Sequence, residues 1–531
     1  MPRPLRDPLF LLLLATGLIA FVIQSGELGT SDTTHRLQSA HALWTSDPPV
    51  FPNEYPEFGL HGRNGSLQSW YGIGQSLLLL PPDIAGTCIE RLHIFARYYG
   101  SDPTVRDIVV SYSTNIFLAV LTALVAFRFL RRLDFTVRQA ILGTLALELC
   151  TTHLHYTQNM MENNYIFLLT LAGFSLQYEW LRTGSRRALF IGSAALGLNL
   201  LTRLTTGLDL LAAGFFILLV LWLEGHRRRE LWTRIRRYIA TAVPVYLFFG
   251  LLDRLYQFYR FGSFTNTYMT VLGREFRERD PSLPANYPFE GAFHIGFFGA
   301  LFAPEKSIFL FDPLLILTLL LALIAWKRFA PVVRAYIIAT LVLLLTYIVF
   351  YARYTVWSGD FAWGDRYVST SVELAALLAV PLLLRHRAAL AKPVWICGIT
   401  LIAISAVIQI ASLAFWLPLE IYQMDTLGHP TFVIALRFKN IAAFALGKMD
   451  AWGLVNSSMT EDPWDYVHIT TWNFLPFLLR RAGFAPAWVV HLAFGVWLVT
   501  LAALAAVLTR LGRLLGPTGA AISEEPPIHA S

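Results

Sequence analysis

Residues 8–44 read PLFLLLLATGLIAFVIQSGELGTSDTTHRLQSAHALW, an apolar run that changes abruptly into a polar segment. A membrane-spanning helix needs roughly 20 mostly apolar residues, and 8–24 approaches that length. No small-x-small cleavage site closes this run and many similar runs follow, so we interpret it as an uncleaved first helix. The polar part is predicted to be an amphipathic helix outside the membrane, with Ser31 or Asp32 as its N-cap.

Apolar runs of the same kind recur along the whole chain. Of its 531 residues, 55% are hydrophobic and only 15% charged, against roughly 25% charged in soluble domains. The sequence therefore predicts an all-α polytopic bundle of about 12 spans. The candidate spans are 8–24, 108–127, 139–153, 165–181, 188–202, 207–224, 239–252, 310–326, 335–351, 371–384, 394–416 and 487–509.

The basic residues indicate how the chain is oriented. With the N-terminus inside, every predicted inside loop is short and basic, as in Arg128–Arg138 and Arg227–Arg237. This pattern predicts cytoplasmic termini, and the Arg- and Ala-rich loops are typical of a bacterial inner-membrane protein. The sequence pI of about 9.3 could suggest nucleic acid, but the basic residues form no single patch, which argues against it.

The predicted outer loops differ from the inner ones, because they are long, aromatic and carry most of the acidic residues. We predict a membrane catalytic region over 1–416 that includes a first outer loop at 25–107. An outer loop region, a last span and a disordered cytoplasmic tail follow at 417–486, 487–509 and 510–531. Two shorter apolar stretches, 66–82 and 293–303, suit interfacial or re-entrant helices.

Two polar clusters on different outer connections are candidates for chemistry. In the first, Asp32, His35 and Arg36 fall on one helix face at i, i+3 and i+4. In the second, THLHYTQNMMENNYIF (152–167), the residues Asn159, Glu162 and Asn163 share that spacing at the mouth of a predicted span. Asp32 could equally be a capping residue, and Glu162 an interfacial residue that points to water.

A third cluster contains most of the cations. YARYTVWSGDFAWGDRYVSTSVEL (351–374) carries Arg353 and the pair Asp365/Arg366, which could bind phosphate or form an interfacial salt bridge. Arg203, in the short turn LTRLTTG (201–207), could hold an anionic headgroup, pair with Asp209 or extend to the lipid headgroups. Lys306 is a further candidate cation.

Several functions are excluded by missing motifs. The sequence contains no GxxxxGK[ST] loop, no HExxH motif and no CxxC pair. Cys88, Cys150 and Cys397 form no disulfide framework. Any chemistry therefore falls to membrane helices and outer loops. Acidic clusters beside interfacial cations suit an enzyme that draws an anionic lipid-linked substrate from the bilayer and transfers its headgroup to an outer acceptor.

The chain resembles the GT-C superfamily of polytopic glycosyltransferases, which includes protein mannosyltransferases and aminoarabinose transferases. Asp32 in SDTTHRLQSAHAL (31–43) looks like the first-loop catalytic acid of that family, and Glu162 like the acid of its second outer loop. Three further stretches are similar to family segments: SWYGIGQSLLLLPPDIAG (69–86), FFGALFAPEKSIFLFDPLLIL (297–317) and WSGDFAWGDRYVSTSVELAALLAVPLL (357–383).

The resemblance implies transfer of a sugar from a polyprenyl-phosphate donor to a glycan, lipid or protein acceptor on the outer face. Asp32 is then the expected general base, assisted by Glu162, which orients the acceptor or binds a divalent cation. The expected phosphate-binding residues are Arg203, Arg353, Arg366 and Lys306. The residues expected to orient the acceptor are His35, Arg36, Asn159, Asn163 and Asp365.

The family's first loop has an adjacent acidic pair, whereas Asp32 is followed by Thr33, which weakens the case for a metal there.

Two other functions stay open. A transporter or lipid flippase would have a similar composition, but transporters place polar residues at mid-bilayer within repeated halves, and no repeat is evident here. A polysaccharide polymerase or ligase of the same topology is the other alternative.

Overall fold

The computed structural model describes residues 7–51, 58–93, 103–360, 362–416, 418–455, 468, 470–483 and 485–516. Within them the chain is mostly helical, as predicted. The only strands there are β1 (Leu60–His61) and β2 (Leu67–Gln68), an antiparallel pair that brackets a 3-10 turn at Arg63–Gly65.

The helices follow one another through short connections. In chain order they are α1 (Pro8–Ile23), α2 (Ser31–His41), α3 (Ile73–Glu90), α4 (Val105–Arg132), α5 (Val137–Cys150), α6 (His153–Gln158), α7 (Asn163–Thr183), α8 (Arg186–Leu200), α9 (Gly207–Leu223), α10 (Arg228–Phe261) and α11 (Tyr268–Arg279). The second half has α12 (Phe293–Phe302), α13 (Ile308–Phe311), α14 (Pro313–Ala325), α15 (Pro331–Tyr351), α16 (Ser369–Ala376), α17 (Ala379–Arg385), α18 (Lys392–Ser412), α19 (Pro418–Asp425), α20 (Val433–Ala445), α21 (Leu475–Ala482) and α22 (Ala487–Leu515). Further 3-10 turns occupy Leu204–Thr206, Trp326–Arg328 and Arg387–Ala389.

In the described part of the chain, six helices are long and apolar enough to cross a membrane, which supports a membrane protein. They are α4, α10, α15, α18, α22, and α9 together with the turn before it. Each of the other predicted spans coincides with helix, but those helices are shorter or more polar. The span predicted at 371–384 is divided into α16 and α17. The count of twelve and the orientation remain predictions.

Local sequence explains where the helices begin and end. Thr104 and Asp107 form a reciprocal capping box at the start of α4, and Thr136 and Gln139 do the same for α5. Gly184 ends α7 in the left-handed conformation at φ 75°, which costs a glycine little. These signals are local, so the residues around each of these helix ends determine where the helix begins or ends.

The main apolar core lies between α5, α7, α9, α14, α15 and the pair α16–α17. Helices α7 and α8 pack closely because a Cβ at Gly173 would lie 2.4 Å from Leu196. Cys88, Cys150 and Cys397 are free.

Several boundaries differ from the sequence prediction. The stretch 66–82 contains β2 and the start of α3, and 293–303 matches α12, a short helix as predicted. Helix α22 continues to Leu515, beyond the predicted end at 509. Of the tail predicted at 510–531, residues 517–531 lie outside the described residues.

The region after α18 is tied to the bundle by a buried ion pair. Arg437 of α20 donates to both carboxylate oxygens of Glu420, at 2.6 Å each, and to the carbonyls of Ser412 and Phe415. Arg437 and Glu420 are fully buried. Because this arginine has acceptors on both sides, it anchors the described part of the outer segment onto the end of α18.

Candidate functional site

The first and second of the connections that are predicted to lie outside are in direct contact. The Thr33 hydroxyl of α2 donates to the carbonyl oxygen of Met160. Gly29, at φ +82°, approaches so closely that a Cβ there would lie 2.8 Å from the backbone of Asn159. This contact brings α2 beside the start of α7, although about 130 residues separate them in sequence.

Asp32 lies in the first turn of α2, because the helix begins at Ser31 and its N-cap is Thr30, not Ser31 or Asp32 as predicted. One carboxylate oxygen accepts from the Tyr71 hydroxyl and the other from Nη1 of Arg366, each at 2.6 Å. Burial alone would raise the pKa of Asp32, but the charges of Arg366 and Arg36 outweigh it and lower that pKa below its ordinary value. Asp32 is therefore ionised at neutral pH.

Glu162 is held between two guanidinium groups. Arg36 contacts Oε2 at 2.8 Å, and Arg203 donates to Oε1. Burial acts to raise the pKa of Glu162, but the two arginines outweigh it, so that pKa falls well below its usual range. Arg203 thus pairs with Glu162 and not with Asp209, which accepts from Thr170 and Tyr347 instead.

These ion pairs line one cavity of about 540 Å³. Its walls include three carboxylates, Asp32, Glu162 and Asp253, and five arginines, Arg36, Arg203, Arg254, Arg260 and Arg366. The lining therefore carries two more positive than negative charges when all eight groups are ionised. Such a surplus in a partly closed site favours an anionic occupant.

One side of the cavity is apolar. Leu200, Leu204, Leu208, Met269, Phe289 and Phe350 line it. Leu204 and Phe350 are 44% and 43% exposed, so this side reaches the surface of the helical bundle. Both residues lie at the ends of helices long and apolar enough to cross a membrane. A lipid tail could therefore lie against this side while a charged head sits among the arginines.

Aromatic rings hold the guanidinium groups in place. Tyr367 lies between Arg203 and Arg366, whose guanidinium carbons are 5.1 and 5.3 Å from its ring centre. Arg36 stacks on Tyr71 at 3.9 Å. The cations are thus oriented before any ligand arrives.

Some buried nitrogens of these arginines have no hydrogen-bond partner. Among the described residues, these include Nε and Nη1 of Arg36 and Nε of Arg366. An unsatisfied buried donor costs roughly 1–3 kcal/mol, more if charged, so an acceptor oxygen placed there would be bound favourably. Phosphate oxygens match this requirement.

Three predicted acceptor-orienting residues support the site without lining it. Asn163 donates to the carbonyl of Arg366 and to the Ser369 hydroxyl, both at 2.7 Å, and so holds the arginine's backbone. Asp365 accepts from the backbone N–H of Tyr367, and burial raises its pKa to about 7. Asn159 is buried behind the cavity in the bend before α7, so Asn159, Glu162 and Asn163 do not share a helix face as predicted.

Three other predicted residues lie away from the cavity. The ring of His35 stacks on Phe58, and burial lowers its pKa to about 4. Lys306 donates to the carbonyls of Asp360 and Ala362, so it stabilises a loop, and burial lowers its pKa to about 8. Arg353 is exposed at the end of α15. None of the three is placed to hold a phosphate in this cavity.

Tyr71, Arg254 and Arg260 were not predicted from the sequence. Arg260 donates to the carbonyls of Ser69 and Tyr71, at 2.5 and 2.9 Å. The spacing of Asp253 and Arg260, two helical turns apart at the outer end of a predicted span, was the available signal. Nothing in the sequence indicates that Tyr71 contacts Asp32.

A divalent cation does not fit the residues present. Both oxygens of Glu162 are already paired with arginines. Within the described ranges, no three His, Cys, Asp or Glu side chains gather closely enough to hold a metal ion. The cationic partners that Glu162 needs are supplied by the chain itself.

No protein-family model matches the sequence, and a search of curated proteins finds no significantly similar chain.

Proposed function

We propose that this protein is a membrane glycosyltransferase that moves a sugar from a lipid-phosphate donor to an acceptor on the outer side of the membrane. One observation carries the proposal: Asp32 and Glu162, from two separate connections, line one cavity together with Arg36, Arg203 and Arg366. The GT-C resemblance, the twelve spans and a bacterial inner-membrane location belong to the same proposal.

The two sides of the cavity suit the two parts of such a donor. The apolar side at Leu204, Leu208 and Phe350 receives the polyprenyl chain. The arginines receive the phosphate, whose oxygens take up the free donors on Arg36 and Arg366. Because the lining carries a positive surplus, the released lipid phosphate is stabilised as an anion in the same place.

Binding of the donor changes the environment of the base. While Arg366 pairs with Asp32, the carboxylate is a poor base, since its pKa is lowered. A phosphate that takes over Arg366 leaves Asp32 with its bond to Tyr71 and frees one oxygen. The pKa of Asp32 then rises toward its ordinary value, and the carboxylate becomes able to accept a proton from the acceptor hydroxyl.

The transfer is a single displacement at the anomeric carbon. The acceptor oxygen forms a bond to that carbon as its proton passes to Asp32, and the bond to the phosphate oxygen breaks with both electrons leaving on the phosphate. General-base assistance of this kind contributes roughly 10²- to 10⁴-fold. A nearby carboxylate also stabilises the oxocarbenium-like character of the transition state.

Glu162 acts as a positioning residue in this scheme. Its oxygens are occupied by Arg36 and Arg203, so it neither accepts a proton nor holds a metal. Its charge orients the two guanidinium groups and offsets their mutual repulsion in a buried site.

The test uses the full-length protein purified into liposomes. A polyprenyl-phosphate sugar with a radiolabelled hexose is supplied with a membrane-lipid extract as acceptor, and label is followed from donor to product. Release of free polyprenyl phosphate with formation of labelled product supports the proposal. Movement of intact donor between leaflets with no loss of its sugar would contradict it and identify a flippase.

A further inference from the structure

A second group of ionisable side chains lies inside the bundle, away from the cavity. It consists of Glu148 near the end of α5, His153 at the start of α6, Asp312 before α14 and Glu373 in α16. Each is at most 3% exposed, and none lines the cavity. The proposed function does not use this group. Ionisable residues in the interior of membrane bundles commonly mark functional sites.

Two of these carboxylates meet at a single hydroxyl. The backbone N–H of Thr152 donates to Oδ1 of Asp312 at 2.7 Å. The Thr152 hydroxyl oxygen lies 3.1 Å from Oδ2 of Asp312 and 3.2 Å from Oε1 of Glu373. Both distances are within hydrogen-bonding range.

A hydroxyl has only one hydrogen to donate. It satisfies one of the two carboxylates, and the other oxygen then faces the hydroxyl's lone pairs unless it carries a proton of its own. Two ionised carboxylates sharing one buried site also repel each other strongly, which favours holding a single proton between them. The arrangement at Thr152 is therefore satisfied only when Asp312 and Glu373 have one proton between them.

His153 is an independent sign that protons are held here. Its Nδ1 lies 3.5 Å from Oε2 of Glu373, and its Nε2 lies 3.7 Å from Oε2 of Glu148. Both distances are longer than an ordinary hydrogen bond, although the side chain is completely buried. A buried imidazole placed between two carboxylates is stabilised when it is protonated.

The surrounding charges do not neutralise the group. Three carboxylates against one imidazolium would leave an excess of two negative charges. Charged or titratable side chains on neighbouring segments include His155, Tyr156, Lys306, Asp365, Arg366 and Arg437. Three of the cations are taken up elsewhere, Lys306 by loop carbonyls, Arg366 by Asp32 and Arg437 by Glu420. In a low-dielectric interior, each added proton reduces the negative excess by one.

We infer that Asp312, Glu373 and Thr152 form a buried proton-binding site, with one proton shared by the two carboxyl groups. The proton holds together the ends of α6, α14 and α16. Helix α16 begins three residues after Arg366, so loss of the proton would push apart the segments that place this arginine. The inference concerns protonation alone and does not depend on the proposed transferase activity.

Infrared difference spectroscopy on the full-length protein in lipid nanodiscs tests the inference. A protonated carboxylic acid has a carbonyl stretch separate from that of a carboxylate. We expect this band in the wild-type protein at neutral pH, and its loss when the pH is raised. Asp312→Asn and Glu373→Gln should each weaken it, because the remaining carboxyl group of the pair then ionises without a second carboxylate at the Thr152 hydroxyl.

Glu305→Gln, a partly exposed carboxylate on the segment before α13, is the control and should leave the band unchanged. Two variants are used because, if one of them misfolds, the other still tests the inference. Absence of the band in the wild-type protein would overturn the inference. So would a folded Asp312→Asn or Glu373→Gln protein whose band is as intense as that of the wild type.

Discussion

Nη1 of Arg366 donates to Oδ2 of Asp32 at 2.6 Å, across 334 positions of sequence. The pair joins the first outer connection to the segment that leads into α16, and it lies in the wall of the cavity. Because Asp32 is the proposed base and Arg366 a proposed phosphate ligand, the pair is expected to open when the donor binds. Five predictions follow from this and neighbouring contacts.

Replacing Asp32 by Asn keeps the bond from Tyr71 but removes the base. We expect transfer to fall by roughly 10²- to 10⁴-fold, the usual contribution of general-base catalysis, with donor affinity nearly unchanged. Initial rates of label transfer in liposomes measure this. Asp47→Asn, an exposed acid beyond the end of α2, is the control and should behave as wild type. Normal turnover by Asp32→Asn would eliminate the assigned base.

The pH profile should report the influence of Arg366 on Asp32. Folding lowers the pKa of Asp32. The ionised carboxylate therefore stabilises the fold fully above the unfolded-state pKa, and this stabilisation is lost as the pH falls through the folded-state pKa. In Arg366→Gln the pKa of Asp32 should rise, moving the acidic limb of the rate profile to higher pH. An acidic limb at the same pH in both proteins would show that Asp32 does not set it.

Glu162→Gln should lower the stability of the folded protein and not only its activity. The change leaves Arg36 and Arg203 facing each other in a buried site without a carboxylate, and breaking such a pair costs roughly 3–5 kcal/mol. Thermal unfolding in detergent measures the loss. Glu278→Gln, an exposed residue of α11, is the control. Equal stability of the two variants would argue against a positioning role for Glu162.

Asn163→Leu should displace the backbone of Arg366. The substitution removes the two hydrogen bonds to the Arg366 carbonyl and the Ser369 hydroxyl. We expect the KM for the donor to rise by up to roughly 30-fold, since the two lost hydrogen bonds are together worth roughly 2 kcal/mol. Circular dichroism should show unchanged helix content, and a KM equal to that of wild type would mean that other contacts place this arginine.

Leu204→Gln tests the apolar side of the cavity. A polar side chain where the lipid chain enters should raise the KM for a long-chain donor while sparing a short-chain, water-soluble analogue. Leu323→Gln, at a highly exposed position of α14 that does not line the cavity, is the matched control. If both donors are affected equally, the lipid chain does not lie along this side.

The apolar runs coincide with described helices, because spans and their ends are encoded locally by run length, capping residues and glycines. The choice of Asp32, Glu162, Arg36, Arg203 and Arg366 as candidates also came from sequence, since ionisable residues beside apolar runs are conspicuous. Sequence spacing, however, left Asp209 as one of several possible partners of Arg203, which pairs with Glu162 instead. It also gave Asn159 and Glu162 a helical spacing, although a bend separates them.

Only the tertiary structure decided which charges meet. Arg366 reaches Asp32, Tyr71 contacts the same carboxylate, and Arg260 binds the backbone beside Tyr71, through contacts between segments far apart in sequence. Lys306 and Arg353 carry the same charge as the arginines of the cavity, yet the fold turns one toward loop carbonyls and leaves the other exposed. The physical reason is that hydrophobic patterning positions helices, whereas the partner of each charge depends on how those helices pack, which no local pattern encodes.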